Sequence, residues 1–353
     1  MTRHPARARD AGLAFGNLPT GAFNGITDVP GVRVGHRTLM AGNIRTGVTA
    51  VIPHAGNLYR EKPIAAVHVL NGFGKSAGLV QVEEVGTIET PILLTNTLSV
   101  GTCCTALVRH AVEHNPDIAR RTATVNPLVF ECNDGYLNDI QALAVTEADA
   151  RAAIDSASPQ FDVGSVGAGC GMSTFGFKGG IGTSSRRLDL DGESYHLGVL
   201  VLSNFGRPGD LRLPDGRLIA APESPADRKD GEKGSIIVIA ATDIPLSDRQ
   251  LKRVIRRSGV GLARLGSFWG HGSGDIALGF TTGTILSHDE TAALVGCRIL
   301  NENRIDLLFE AMADATQEAV LDALVAAGSM NGRDGHHRPA LLDSLYPTGP
   351  VTS

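Results

Sequence analysis

Between residues 164 and 183 the chain reads GSVGAGCGMSTFGFKGGIGT, and eight of those twenty positions are glycine. Each glycine inside a helix costs up to about 1 kcal/mol relative to alanine, so this stretch is excluded from helical structure. Its small residues predict a strand and turns packed closely against other backbone. The chain as a whole has 43 glycines in 353 residues, above the usual ~7%, and they show no collagen period. Tight turns and close backbone approaches are therefore expected throughout.

The surrounding sequence predicts a mixed α/β unit. Short apolar runs at Val32–Val34, Val48–Ile52, Ile64–Leu70 and Ile92–Leu94 are bounded by Gly, Pro or Asn, the pattern of strands. Thr97–His114 reads as a helix with Val100, Cys104, Leu107, Val108 and Ala111 on one stripe, closed by Pro116. Two further strands are expected at Tyr195–Leu202 and Ser235–Ala241. The intervening Asn204–Lys233 is rich in Pro, Gly, Asp and Arg and reads as an exposed loop ending in DRKDGEKG. Ser247 and Gln250 form a capping-box pattern ahead of Leu251, Val254 and Ile255. The longest helix is expected at Asn303–Ala327, with Ile305, Leu308, Phe309 and Met312 inward and Gly328 as its stop. The first dozen residues read as loosely held. Strands and helices do not alternate regularly enough for a doubly wound sheet, and no solenoid repeat is present.

Several function classes are disfavoured. A net charge of −5 argues against nucleic acid as the main partner. Arg249, Lys252, Arg253, Arg256 and Arg257 fit the solvated face of a helix. No run approaches the ~20 apolar residues of a membrane span. Arg3, Arg7 and Arg9 lack the apolar core of a secretory signal behind them. Cys103, Cys104, Cys132, Cys170 and Cys297 are odd in number and have no CxxC spacing, so they read as buried thiols of a reducing cytoplasm. No metal or cofactor is expected. GFGKS at 72–76 fails as a phosphate loop because position 69 is Val, GAGCG at 167–171 is not GxGxxG, and GHGSGD has His271 where a nucleophile elbow needs Gly. His336 and His337 fall in a polar tail that is expected to be exposed.

One junction carries chemistry. Asp230–Gly234 runs directly into Ser235, and Ile236–Ala240 then has the composition of a strand buried on both faces. Were the bond before Ser235 cut, its α-amine would appear beside its own Oγ with a pKa near 7.7–8.0, able to act as its own base. Glycine before the serine tolerates the backbone geometry such a cut requires. The same pattern also suits a plain turn into a strand.

A set of ordered segments resembles the DmpA-type aminopeptidases, which include L-aminopeptidase/D-amidase/esterases and β-peptidyl aminopeptidases. These are ARDAGL at 8–13, NGITDVPGVRVGH at 24–36, GVTAVIPH at 47–54, TPILLTNT at 90–97, FECNDGYLNDI at 130–140, FGFKGGIGTSSR at 175–186, GSIIVIAATDIPL at 234–246 and GSGDIALGFTTG at 272–283. The resemblance implies a four-layer αββα sandwich, as in the distantly similar ornithine acetyltransferases, made as one 353-residue precursor and split into 1–234 and 235–353. It implies a metal-independent enzyme, commonly tetrameric, that releases N-terminal residues from short peptides, amides or esters. By the same resemblance Ser235 is the nucleophile, Ser273 its hydrogen-bonding neighbour and Asp275 the acidic partner of that serine. Asn204 is the oxyanion donor, and Glu131 meets the substrate ammonium. The family often has Tyr two places after that glutamate, where this chain has Asn133, a shorter donor. Acyl transfer of the ornithine acetyltransferase type and a non-catalytic binding role are the alternatives. Ser235 in place of that group's threonine favours the peptidase.

Overall fold

A computed structural model describes residues 7–222 and 234–346. Its centre is the apolar run after Ser235. Strand β12 (Ser235–Thr242) is buried along its whole length, with Ile236, Val238 and Ala240 entering one core and Ile237, Ile239 and Ala241 another. Because side chains alternate across a strand, a strand buried on both faces needs a continuous apolar sequence.

β12 is the middle of a five-stranded sheet ordered β3 (Glu61–Gly72), β13 (Gly274–Ser287), β12, β9 (Glu193–Asn204) and β8 (Gly180–Leu190). It pairs parallel to β13 and antiparallel to β9. A second sheet is ordered β1 (Arg33–Ala41), β2 (Ile44–Ile52), β4 (Ile92–Asn96) and β5 (Leu128–Cys132). Between the sheets, Val51, Leu94 and Phe130 meet Leu200, Leu202, Ile237 and Ile276. Outside the second sheet, α2 (Val100–His114) and α3 (Glu147–Asp155) bury Cys103, Leu107, Ala150 and Ala153 against Val48, Ala50, Leu93 and Val129. Outside the first lie α4 (Asp248–Ile255), α5 (Ser258–Arg264) and α6 (Asp306–Ala326). The layers are αββα, as the sequence resemblance implies. The described residues also form short helices α1 (Leu79–Val85) and α7 (Leu341–Leu345) and three hairpins of two-residue strands: β6–β7 (Ser173–Thr174, Phe177–Lys178), β10–β11 (Leu211–Arg212, Leu218–Ile219) and β14–β15 (Met330–Asn331, His337–Arg338).

The glycine-rich stretch forms a turn at Gly167–Gly169, then β6–β7, and enters β8 at Gly180. Its glycines let other backbone approach: a Cβ at Gly182 would lie 1.9 Å from the Ala319 carbonyl of α6. Lys178, fully buried, fastens the stretch by donating to the Gly169 and Gly179 carbonyls at 2.9 and 2.7 Å. His36 bonds Thr49 Oγ1 at 2.9 Å and the Asp162 carbonyl at 3.0 Å, and Thr49 in turn accepts the Ala168 amide.

Four expectations change. Residues 7–15 are held firmly: Arg7 pairs with Asp322 at 2.7 Å, Arg9 pairs with Glu318 at 2.6 Å, and Ala8, Leu13 and Phe15 enter the core. This covering explains why α6 is buried all round from Ala311 to Val325 rather than along one stripe. Cys297 is exposed, although Cys103, Cys132 and Cys170 are buried. His336 stacks on Tyr136 at 4.5 Å and is only partly exposed, because β14–β15 folds back onto the loop after β5. The segment after Asn204 is not all exposed, since Leu211 and Leu213 enter the core; its charged end at 223–233 lies outside the described residues.

Candidate active site

Strand pairing brings the predicted residues together. Ser235, the first residue of β12, is opposite Gly274 on one side and Asn204 on the other. Its position between two paired strands fixes its backbone while Oγ emerges at the sheet's end. The Gly274 amide lies 3.2 Å from Ser235 Oγ and 3.2 Å from the Gly234 carbonyl oxygen, and donates to both. Ser273 Oγ donates to Asp275 Oδ1 at 2.6 Å, and the Ile236 amide donates to the same oxygen at 3.3 Å. The carboxylate is thus tied to the residue after Ser235, and Ser273 to the carboxylate.

Gly234 is required for space rather than for an unusual φ. Its φ is not in the left-handed region, but a Cβ there would lie 2.4 Å from the Asn204 carbonyl and 2.5 Å from Phe205 Cα. Gly274 is similarly confined, with a Cβ meeting Gly74 backbone at 3.0 Å and Ser235 Oγ at 3.1 Å. The neighbouring Asp230, Gly231, Glu232 and Lys233 lie outside the described residues.

Glu131, at the end of β5, is buried. It accepts the Lys75 amide on Oε1 at 2.8 Å and the Thr97 hydroxyl on Oε2. Both donors are neutral, so among the described residues the carboxylate has no cationic partner. Asn204 Nδ2 donates to the Asn133 carbonyl at 3.0 Å, and its Oδ1 accepts the Ser173 amide at 2.8 Å. Asn133 is exposed and uses Oδ1 to accept the Gly135 amide at 2.9 Å, which leaves its NH₂ as a donor. Asn204 therefore holds the Asn133 backbone as well as standing beside Ser235.

Sequence reading missed several participants. The Gly274 donor is backbone and carries no side-chain signal. GFGKS, tested only for phosphate binding, supplies the Lys75 amide to Glu131 and the Gly74 backbone that packs on Gly274. Cys132 contacts the backbone of Ser235, donating to its carbonyl at 3.3 Å. Burial, with Glu131 and Asp275 nearby, raises its pKa well above the usual thiol range, so it stays a neutral donor. Among the described residues no cluster of His, Cys, Asp and Glu suited to a metal occurs, and no helix is long and apolar enough to cross a membrane.

A serine at the head of a central strand, in an αββα sandwich, with its own preceding carbonyl sharing a backbone donor, defines a self-processing hydrolase of the N-terminal-nucleophile kind. The sequence matches peptidase family S58 over residues 24–338, and the chain belongs to that family; it is an aminopeptidase. It is 39% identical over 355 residues to a β-peptidyl aminopeptidase, BapA, of Sphingosinicella microcystinivorans, covering 94% of this chain and 88% of the relative. A Burkholderia sp. β-aminopeptidase structure superposes with a TM-score of 0.86 at 40% identity, over 96% of this chain and 98% of that one. The L-aminopeptidase D-Ala-esterase/amidase of Ochrobactrum anthropi, described as a prototype of the serine aminopeptidases and a variant of the Ntn hydrolase fold, gives 0.89 at 35% identity, over 96% and 97%.

Proposed function

We propose that Ser235 is the nucleophile, first on its own chain and then on substrates. The observation that carries this is the Gly274 amide shared by the Gly234 carbonyl and Ser235 Oγ. Oγ attacks the Gly234 carbonyl carbon, and the developing oxyanion is met by the Gly274 N–H. The Oγ proton passes to the Ser235 nitrogen as the C–N bond breaks, and water then hydrolyses the ester. The products are 1–234, ending in the Gly234 carboxylate, and 235–353, beginning with the free Ser235 amine.

In the mature enzyme that amine takes the Oγ proton as Oγ attacks the substrate carbonyl, and the leaving amine receives a proton in return. Asp275 orients Ser273 so that its hydroxyl can pass protons beside the nucleophile. Asn204 has a second Nδ2 hydrogen for the oxyanion, and one such donor is worth about 3–4 kcal/mol of barrier. Asn133 supplies a further amide donor at the rim. Glu131 keeps an uncompensated negative charge and meets the ammonium of a substrate's first residue, restricting cleavage to free N-termini.

The substrates are short peptides, aminoacyl amides or esters. The similarity to β-aminopeptidases supports β-amino acids among the accepted first residues. We place the enzyme in the cytoplasm as a homo-oligomer, a tetramer by family resemblance. The exposed apolar Leu294, Val295 and Ile299 are consistent with subunit contact. Intact-mass measurement tests the proposal: two pieces, the smaller beginning at Ser235, and Ser235→Ala both uncut and inactive. An uncut wild-type chain that hydrolyses α- or β-aminoacyl p-nitroanilides would overturn it.

A further inference from the structure

Lys75 lies in the loop between β3 and α1, and its backbone and side chain go different ways. Its amide donates to Glu131 Oε1 at 2.8 Å. Its side chain turns back along the loop, so that Nζ donates to the Phe73 carbonyl at 3.2 Å and lies 4.2 Å from the centre of the Phe73 ring. Nζ therefore forms no ion pair with Glu131, although the residue touches that carboxylate through its amide. Among the described lysines, Lys62 and Lys252 pair with Glu89 and Glu83, and Lys178 is buried on carbonyl oxygens. Lys75 is exposed and has no carboxylate partner among the described residues.

The direction of the turn places this cation. The Phe73 amide donates to the Ser273 carbonyl at 3.2 Å, Asn71 Nδ2 donates to the same oxygen at 2.6 Å, and the Phe73 ring lies 6.3 Å from that of His271. Gly74 stands between the two sides of the site: a Cβ there would lie 3.7 Å from Glu131 Oε1 and 3.8 Å from Gly274 Cα. The loop thus runs from the Ser273 side of the nucleophile to the Glu131 side, and the Lys75 ammonium is drawn back toward Ser273. A negative and a positive charge, neither neutralised, stand apart on one wall. The Glu131 hydrogen bond and an extended lysine side chain together set their separation at no more than about 10 Å. An extended dipeptide holds its ammonium and carboxylate about 7 Å apart, and each further residue adds about 3.5 Å.

We propose that Lys75 is a specificity-determining residue whose ammonium takes the C-terminal carboxylate of a dipeptide. This rests on the roles proposed for Glu131, which holds the dipeptide's own ammonium, and for Ser235, which attacks the carbonyl between the two charges. The Phe73 carbonyl uses one of the three Nζ hydrogens, which leaves two for a carboxylate. The Phe73 ring steadies the ammonium from below and offers an exposed apolar face to the leaving residue. A C-terminal amide presents no charge to Lys75, and a longer peptide carries its carboxylate past it.

The test measures kcat/KM on a dipeptide and on its C-terminal amide. The first residue is that of the aminoacyl p-nitroanilide hydrolysed fastest, and the second is alanine. Wild type should favour the dipeptide by about fivefold, the upper range for an exposed ion pair, and the preference should shrink in about 0.5 M NaCl. Lys75→Met should bring the dipeptide-to-amide ratio to one or below, Lys75→Glu should lower it further, and Lys75→Arg should keep it above one. Each ratio is taken on a single preparation, so any loss of folded or matured enzyme cancels. Self-cleavage and p-nitroanilide hydrolysis by the wild type test Ser235 separately. An enzyme that passes both yet shows no preference for the dipeptide, a preference that salt leaves unchanged, or a wild-type ratio in Lys75→Met would overturn the role of Lys75.

Discussion

Replacing Gly234 with alanine separates maturation from turnover. The added Cβ would meet the Asn204 carbonyl at 2.4 Å and Phe205 Cα at 2.5 Å. Both are backbone atoms at the end of β9, which is paired to β12 and cannot yield without disturbing that register. Overpacking of this kind costs about 1–3 kcal/mol. If the strain falls on the conformation that presents the Gly234 carbonyl to Oγ, self-cleavage slows by about five- to 160-fold. Once cut, residue 234 is a chain end, free to move away from Ser235, so matured Gly234→Ala molecules should turn over at the wild-type rate per mole of cut chain. Gly274→Ala is the contrast. Its Cβ, 3.1 Å from Ser235 Oγ and 3.0 Å from Gly74 backbone, stays in the site after the cut and should impair both steps. The assay follows precursor fraction against time by intact mass, with active-site-normalised hydrolysis of an aminoacyl p-nitroanilide. Wild-type processing of Gly234→Ala, or defective turnover in its matured fraction, would refute the reasoning.

Glu131→Gln should mature normally yet lose about 1.5–3 kcal/mol of kcat/KM on substrates with a free amine, measured against their N-acetylated counterparts. Lys178→Met leaves the Gly169 and Gly179 carbonyls without their donor and should lower stability by about 2–4 kcal/mol, read as a fall in urea midpoint at unchanged slope. Burial lowers the His36 pKa from 6.5 to about 4, so between those values the unfolded chain binds the extra proton and the folded one does not. Stability is therefore retained above pH 6.5 and falls by up to about 3 kcal/mol on acidification to pH 4, and His36→Gln should flatten this part of the Tm profile.

What could be read in the sequence follows from how locally each feature is encoded. The double-faced burial of β12 is written in five consecutive apolar residues, and the capping box at Ser247 and Gln250 in two side chains three positions apart, with both hydrogen bonds present. Nothing local marks α6 as buried on all sides. That depends on Arg7, Arg9 and Arg186 arriving from distant segments to satisfy Asp322 and Glu318. The site divides in the same way. Ser235, Ser273 and Asp275 could be named from ordered motif resemblance, because the roles proposed for them are carried by their side chains. The Gly274 and Lys75 contributions are amide protons, and an amide proton is present at every residue but proline. Only the parallel register of β12 with β13 gives the one at Gly274 a role, and only the turn after β3 brings the one at Lys75 to Glu131. The GFGKS stretch illustrates this: it lacks the spacing of a phosphate cradle, and its Gly74 backbone packs against Gly274, the residue paired with Ser235. Glycine signals that backbone must come close to something. Which partner it meets is decided by the pairing of strands far apart in the chain.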